Sequence, residues 1–178
     1  MSNEVEQHCW NRRCDLIYKV RLSILYHLKH SRFLSRLDKT ISVLTAASAT
    51  AAVSALMKTS GEPVDMWAAA ITAVLSIIPL VFNPSDGAKK HTELAFQFRK
   101  LFAEFERAGQ HWSVDQCDEF TAKLVEQEAT EPASLAALVA HCQNELNLAS
   151  EGPQVNLTRF QSFMKHVFPF DASKLHKQ

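Results

Sequence analysis

The sequence predicts an all-α protein built on a two-helix transmembrane hairpin that continues into a helical stalk or bundle and assembles as an oligomer. Three observations predict it. Two stretches, residues 41–57 and 66–82, each run 17 residues without a charge, just reaching the length a helix needs to cross a hydrocarbon core of about 30 Å. Only eight residues, 58–65, lie between them, and Gly61 and Pro63 among these mark a tight turn. Elsewhere apolar residues recur at three- and four-residue steps, strand-type alternation is rare, and four glycines in 178 residues leave little for β-hairpins or glycine-rich phosphate loops.

Composition narrows the class further. A chain of 20.0 kDa fits one domain, or a membrane hairpin with a modest soluble part. Its formal net charge of zero argues against a general nucleic-acid binder. Some forty charge-rich residues precede the first apolar run, which is not the pattern of a secretory signal. Cys9, Cys14, Cys117 and Cys142 show no paired spacing, so free thiols in a reducing compartment are expected.

In chain order, residues 1–7 are polar and expected to fray. A helical pattern follows, with Ile17, Val20, Ile24 and Leu28 on one side and Lys19, Arg21, Lys29, Arg32, Arg36 and Lys39 over much of the rest. No Pro or Gly interrupts residues 12–57, so one helix can run from water into the bilayer. Its basic end reads either as the solvated face of a bundle helix or as a collar touching anionic headgroups, at about 1 kcal/mol per basic residue near the surface.

The first span is weakly apolar: residues 41–57 hold six Ala and the hydroxyls of Ser42, Thr45, Ser48, Thr50 and Ser54. Ala47, Ala51 and Ala55 repeat at four-residue steps and suit close helix contact, and with Thr50 and Ser54 they form the candidate oligomer or pore contact. The five hydroxyls spread around the helix, so a pore is permitted without being specified. The second span concentrates Ile71, Val74, Leu75, Ile77, Ile78, Leu80, Val81 and Phe82. Trp67 is placed to anchor one end at the interface, and Pro79 is expected to kink the other.

Charge sets the orientation. Residues 12–39 contain eight Lys or Arg, and Lys89, Lys90, Arg99 and Lys100 follow the second span, whereas the turn carries Lys58 against Glu62 and Asp65. The positive-inside rule then puts both termini in the cytoplasm.

Past the hairpin, Ser85 or Asp86 can cap a helix lined by Leu94, Phe98, Leu101, Phe102 and Phe105 and ended by Gly109. Its stripe matches that of the first helix, which predicts antiparallel packing below the bilayer. Ser113 with Gln116 resembles a capping box for a helix carrying Cys117, Phe120 and Leu124. Thr130-Glu131-Pro132 is read as the start of another, with Leu135, Leu138, Val139, Cys142 and Leu146 on one side, broken by Glu151-Gly152-Pro153. Residues 157–168 give a last helix with Phe160, Phe163, Met164 and Val167 as its apolar face, and residues 171–178 a flexible tail. The organisation is thus a basic amphipathic helix (1–39), a transmembrane hairpin (40–83), a cytoplasmic helical region (84–170) and the tail.

Catalytic and metal readings find little to build on. His8-Cys9 and His141-Cys142 lack the close ligand pairs of zinc sites, and Cys142 belongs to an apolar face. His27, His30 and His91 lie near the cytoplasmic membrane edge, where they are solvated, hydrogen-bonded or sensitive to pH. Asn144-Glu145 can join helices through hydrogen bonds. No Ser/His/Asp order, P-loop or dinucleotide fingerprint occurs, so no enzyme, no metal and no cofactor are expected.

Four stretches, covering most of the chain from about residue 15 to 170, carry a family resemblance. They are Tyr26-His27-Leu28-Lys29-His30-Ser31-Arg32-Phe33-Leu34; Asn83-Pro84-Ser85-Asp86-Gly87-Ala88-Lys89-Lys90-His91 with Leu94, Phe98 and Leu101; Ala137-Leu138-Val139-Ala140-His141-Cys142-Gln143-Asn144-Glu145; and Arg159-Phe160-Gln161 through His166. In their order and two-span plan they resemble the SLATT family of small two-span proteins found beside bacterial nucleotide-signalling genes; the Ala-, Ser- and Thr-rich first span is a mild departure. The resemblance implies an effector of anti-phage defence in the bacterial inner membrane. A partner sensor or a nucleotide second messenger would switch it on, and a homo-oligomer would then form a pore or disrupt the bilayer. Two other classes stay open from the residues themselves: a membrane-anchored adaptor docking a partner through the helices after Gly109, and a soluble helical bundle in which the two apolar runs are a buried core hairpin.

Overall fold

A computed structural model of the chain describes residues 2–57, 67, 70, 71, 73, 74, 77, 83–148, 152–171, 176 and 177. Helices dominate, as an all-α reading requires: α1 (Ser2–Met57), α2 (Pro84–Arg107), α3 (Val114–Glu128), α4 (Ala136–Leu148) and α5 (Arg159–Met164), beside two-residue strands β1 (Val155–Asn156) and β2 (His176–Lys177). Contacts divide the chain into two units, Met1–His30 with His91–Gln178, and Ser31–Lys90.

The larger unit owes its core to the apolar spacing of three helices. Leu16 and Val20 of α1, Phe98, Leu101 and Phe105 of α2, and Cys117, Phe120 and Leu124 of α3 are buried together with Cys9 and Trp112. The predicted stripes of α2 and α3 are therefore the buried faces, each following 3.6-residue periodicity. Trp112 and Phe120 set their rings 5.0 and 4.8 Å from that of Phe105, and Trp112 Nε1 donates to the Gly109 carbonyl at 3.0 Å. Gly109, at φ +79°, ends the run of α2 in a conformation that disfavours any side chain. Arg13 lies over the rings of both Trp10 and Trp112, and Arg12 pairs with Asp118 at 2.6 Å.

A capping box opens α3: Ser113 Oγ accepts from the Gln116 backbone N–H, and Gln116 Oε1 accepts from the Ser113 N–H. Ser113→Ala is expected to destabilise this unit by about 1 kcal/mol, lowering its urea midpoint without changing the slope.

A second cluster joins α4 to α1 through Tyr26, Leu138 and Cys142. The fourth helix starts at Ala136, later than Thr130-Glu131-Pro132 suggests. Residues 132–135 stay outside the helix, and the Leu135 N–H donates to the Tyr26 hydroxyl at 3.1 Å. Asn144 pairs its side-chain amide with both backbone groups of Val155, each at 2.7 Å, so α4 holds β1 as a neighbouring strand would. Val155 faces Lys177 and Asn156 faces His176 in an antiparallel pair, within the stretch the sequence suggests as a loose end. The last helix is shorter than residues 157–168; its Phe160 and Phe163 are exposed, as is Val167 beyond its end.

In the smaller unit, Asn83 caps α2 in place of Ser85 or Asp86. Its Oδ1 accepts from the Asp86 N–H, with Pro84 at the first helical position. Ser31 Oγ donates to the Ala88 carbonyl at 2.9 Å, and a side chain at Gly87 would meet Leu34 at 3.1 Å, so small residues let these segments approach closely. Among the described residues no helix is long and apolar enough to cross a membrane. The predicted turn at 58–65 and most of the second run, including Pro79, lie outside the described residues.

Candidate functional site

Two places bear on function, one in each unit. In the smaller unit, α1 carries the candidate contact positions. Ala47 and Thr50 are exposed on it, while the side chains of Ala51, Ser54 and Ala55 lie outside the described residues. Three hydroxyls of this run turn back on their own helix, whereas Thr45 Oγ1 is buried without a hydrogen-bond partner. Ser42 Oγ donates to the Asp38 carbonyl, Ser48 Oγ to that of Leu44 and Thr50 Oγ1 to that of Ala46, at 2.8–2.9 Å. Such i−4 bonds leave no donor seeking water, so each hydroxyl costs less in an apolar surrounding. Around them large apolar side chains face outward. Val43 and Leu44 are 67% and 48% exposed, and Trp67, Ile71, Val74 and Ile77, spaced four, three and three residues apart, are 52–65% exposed.

The larger unit holds a histidine cluster. His27 and His30 stand one turn apart on α1, which puts both on the face toward α2. Its first member is fully buried: His27 and His91 hydrogen-bond Nδ1 to Nδ1 at 2.8 Å, one of them carrying the shared proton. The His27 ring also stacks on Phe98. Its Nε2 lies 3.2 Å from Glu131 Oε1, close in distance yet not aligned as a hydrogen bond. His30 meets His91 edge-to-face at 4.5 Å between ring centroids and stacks on His166 at 5.9 Å. Beside them Lys29 of α1 pairs with Glu145 of α4 and reaches His141 Nε2 at 3.2 Å.

Burial disfavours the protonated form of three of the histidines here, His30, His141 and His166. Burial, then neighbouring His27, lowers the pKa of His30. Burial, then His30 and Lys165, lowers His166 to about 4. His141 is lowered by burial and by Lys165 and Lys29 against the opposing Glu145, while burial pushes the Cys142 thiol up to about 11. Burial thus favours the protonated form of the Cys142 thiol in this core. Among the described residues no group of three His, Cys, Asp or Glu side chains is arranged to hold a metal ion.

The sequence places His27, His30 and His91 near one another with a hydrogen-bonded or solvated role ahead of pH sensing, and the fold brings the three together. His166 joins them unforeseen, its only signal being its place in the last of the four resemblance stretches. Residues from all four of those stretches meet at this cluster or its Lys29–Glu145 edge.

A sign for pH follows. His30, His141 and His166 have folded-state pKa values below the ordinary 6.5, so the unfolded chain binds more protons than the folded one below that value. Stability is complete above about pH 6.5 and is lost as pH falls toward about 4. Glu145, held low by Lys29, adds a further loss below the carboxylate range. Urea midpoints at about pH 7.5 and about pH 5 are expected to differ, and His30→Gln/His166→Gln to narrow the gap. Equal midpoints in the parent protein would contradict this account.

Comparison with protein-family models, with curated proteins and with solved structures found no match for this chain.

Proposed function

We propose that the protein is a membrane effector: the 41–57 and 66–82 runs form a hairpin in a bacterial inner membrane, both termini stay cytoplasmic, and copies assemble to breach the bilayer. In this reading the larger unit receives the activating signal, from a sensor partner or a nucleotide messenger, and the protein has no turnover of its own. The observation that carries the membrane part is the outward apolar set Val43, Leu44, Trp67, Ile71, Val74 and Ile77. Burying one such side chain fully is worth about 1.5–3 kcal/mol, so six left in water is a large unmet driving force. The back-bonded hydroxyls of α1 support the same environment. The defence role rests on the SLATT resemblance.

Flotation on a density gradient after an alkaline carbonate wash tests the membrane part. Protein that rises with lipid has inserted, and conductance or dye release from liposomes then tests the breach. Protein that stays at the bottom without aggregating is a soluble bundle, and the reading fails. Ala47→Leu and Ala51→Leu are expected to reduce oligomer size in detergent if the small-residue face is the contact. Unchanged size in both variants removes that contact.

An adaptor is the second reading, favoured by Phe160, Phe163 and Phe168, which are 63%, 81% and 51% exposed. Inserted protein that leaves liposomes sealed under activating conditions would support it over the effector.

A further inference from the structure

We propose that Cys9 and Cys117 are the two halves of a reversible intramolecular disulfide that fastens the start of α1 to α3 under oxidising conditions. The two cysteines come from positions 108 residues apart, and both are buried in one core, Cys9 at 6% and Cys117 at 1% exposure. The Cys117 thiol donates to the Cys9 carbonyl oxygen, with Sγ 3.8 Å from it, so the two cysteines are in contact. A disulfide needs its two Cα atoms within about 7 Å, a separation that cysteines in contact within one core can meet.

Cys9 is also one wall of a groove of about 930 Å³ that it lines with Val5, Trp10, His111 and Trp112. The groove brings a small solute up to Cys9. The Cys117 thiol is held up to about 11, chiefly by burial, which suits it to second place in the sequence of events.

The oxidant is of the hydroperoxide class. The Cys9 sulfur, as thiolate, attacks one peroxide oxygen, the O–O bond breaks, and the other oxygen leaves as hydroxide, which takes up a proton. Cys9 is then a sulfenic acid. The Cys117 sulfur attacks the Cys9 sulfur, the S–S bond forms, and the sulfenic oxygen leaves as water with the proton of the Cys117 thiol. Two thiols and one hydrogen peroxide become one disulfide and two waters, and the sulfur pair gives up two electrons.

The other thiols are placed differently. Cys14 is exposed, five residues beyond Cys9 on the same helix, and an intact helix carries the two to different faces. Cys142 belongs to the separate cluster with Tyr26 and Leu138.

The test uses the full chain with Cys14→Ser and Cys142→Ser, so that only the proposed pair remains. Native protein is treated with hydrogen peroxide, trapped with an alkylating reagent and mapped by mass spectrometry. The expected result is a Cys9–Cys117 linked peptide, a loss of two hydrogens in intact mass and full reversal by a dithiol reductant. Cys9→Ser or Cys117→Ser in this background abolishes the link. Circular dichroism on each variant confirms that it is folded. The proposal is overturned if folded protein yields stable sulfenic or sulfinic acid at Cys9 with no link, or if the link forms only in urea.

Discussion

Lysine at both Val74 and Ile77 is expected to abolish recovery of the protein with lipid while leaving the larger unit folded. The two side chains are 60% and 56% exposed, so neither substitution opens a packed core. In water, such surface changes are usually within about 0.5 kcal/mol. At the centre of a membrane-spanning helix each lysine costs about 2.5–3.5 kcal/mol, roughly 5–7 for the pair, enough to shift a partition constant by more than about a thousandfold. Flotation of the double variant beside the parent measures this directly. Far-UV circular dichroism and thermal unfolding check that the helices persist. A double variant that floats as the parent does would place this face away from the hydrocarbon, and the hairpin reading would lose its main support.

Phe105→Ala carries the largest expected cost to stability. The ring is fully buried where α1, α2 and α3 share one cluster, with Trp112 and Phe120 against it. Truncating a buried phenylalanine costs about 3–5 kcal/mol through lost transfer energy and the cavity left behind. Set against a typical total of about 5–15 kcal/mol, that is a third or more of what holds a domain folded. Urea titration followed by tryptophan fluorescence should show the midpoint falling, because Trp112 reports the same site. Phe163→Ala supplies the comparison: at 81% exposure its removal is expected to shift the midpoint little. A loss at Phe105 no greater than that at Phe163 would mean the three-helix core is not the main support of this unit.

Local pattern carried the reading of α2 and α3 far. Leu94, Phe98, Leu101 and Phe105 repeat at helical spacing without a breaker, and Ser113 with Gln116 signals a start through chemistry confined to one turn. The start of α4 was less legible because its decisive contact is remote. Thr130-Glu131-Pro132 has the local look of a helix start, yet the Leu135 N–H is claimed by Tyr26, 109 residues earlier. The same holds for the histidines. His27 and His30 share a face by spacing alone, but no local rule brings His91 or His166 against them. Phe160 and Phe163 show the limit in the other direction: an apolar stripe predicts a partner, yet among the described residues these two side chains stay mostly exposed. Of the candidate contact, Ala47 and Thr50 are exposed.

The division of the larger unit into two stretches of chain, Met1–His30 and His91–Gln178, sets an order of events during synthesis. Leu16 and Val20 emerge from the ribosome early, but their partners Phe98, Phe105 and Leu124 follow only after the whole of Ser31–Lys90 has been made. At about 5–20 residues per second, the hundred or so residues from Val20 to Leu124 take roughly 5–20 s to appear. Throughout that interval the basic, half-apolar start of α1 has no core to join. The two apolar runs are therefore complete before the larger unit can close.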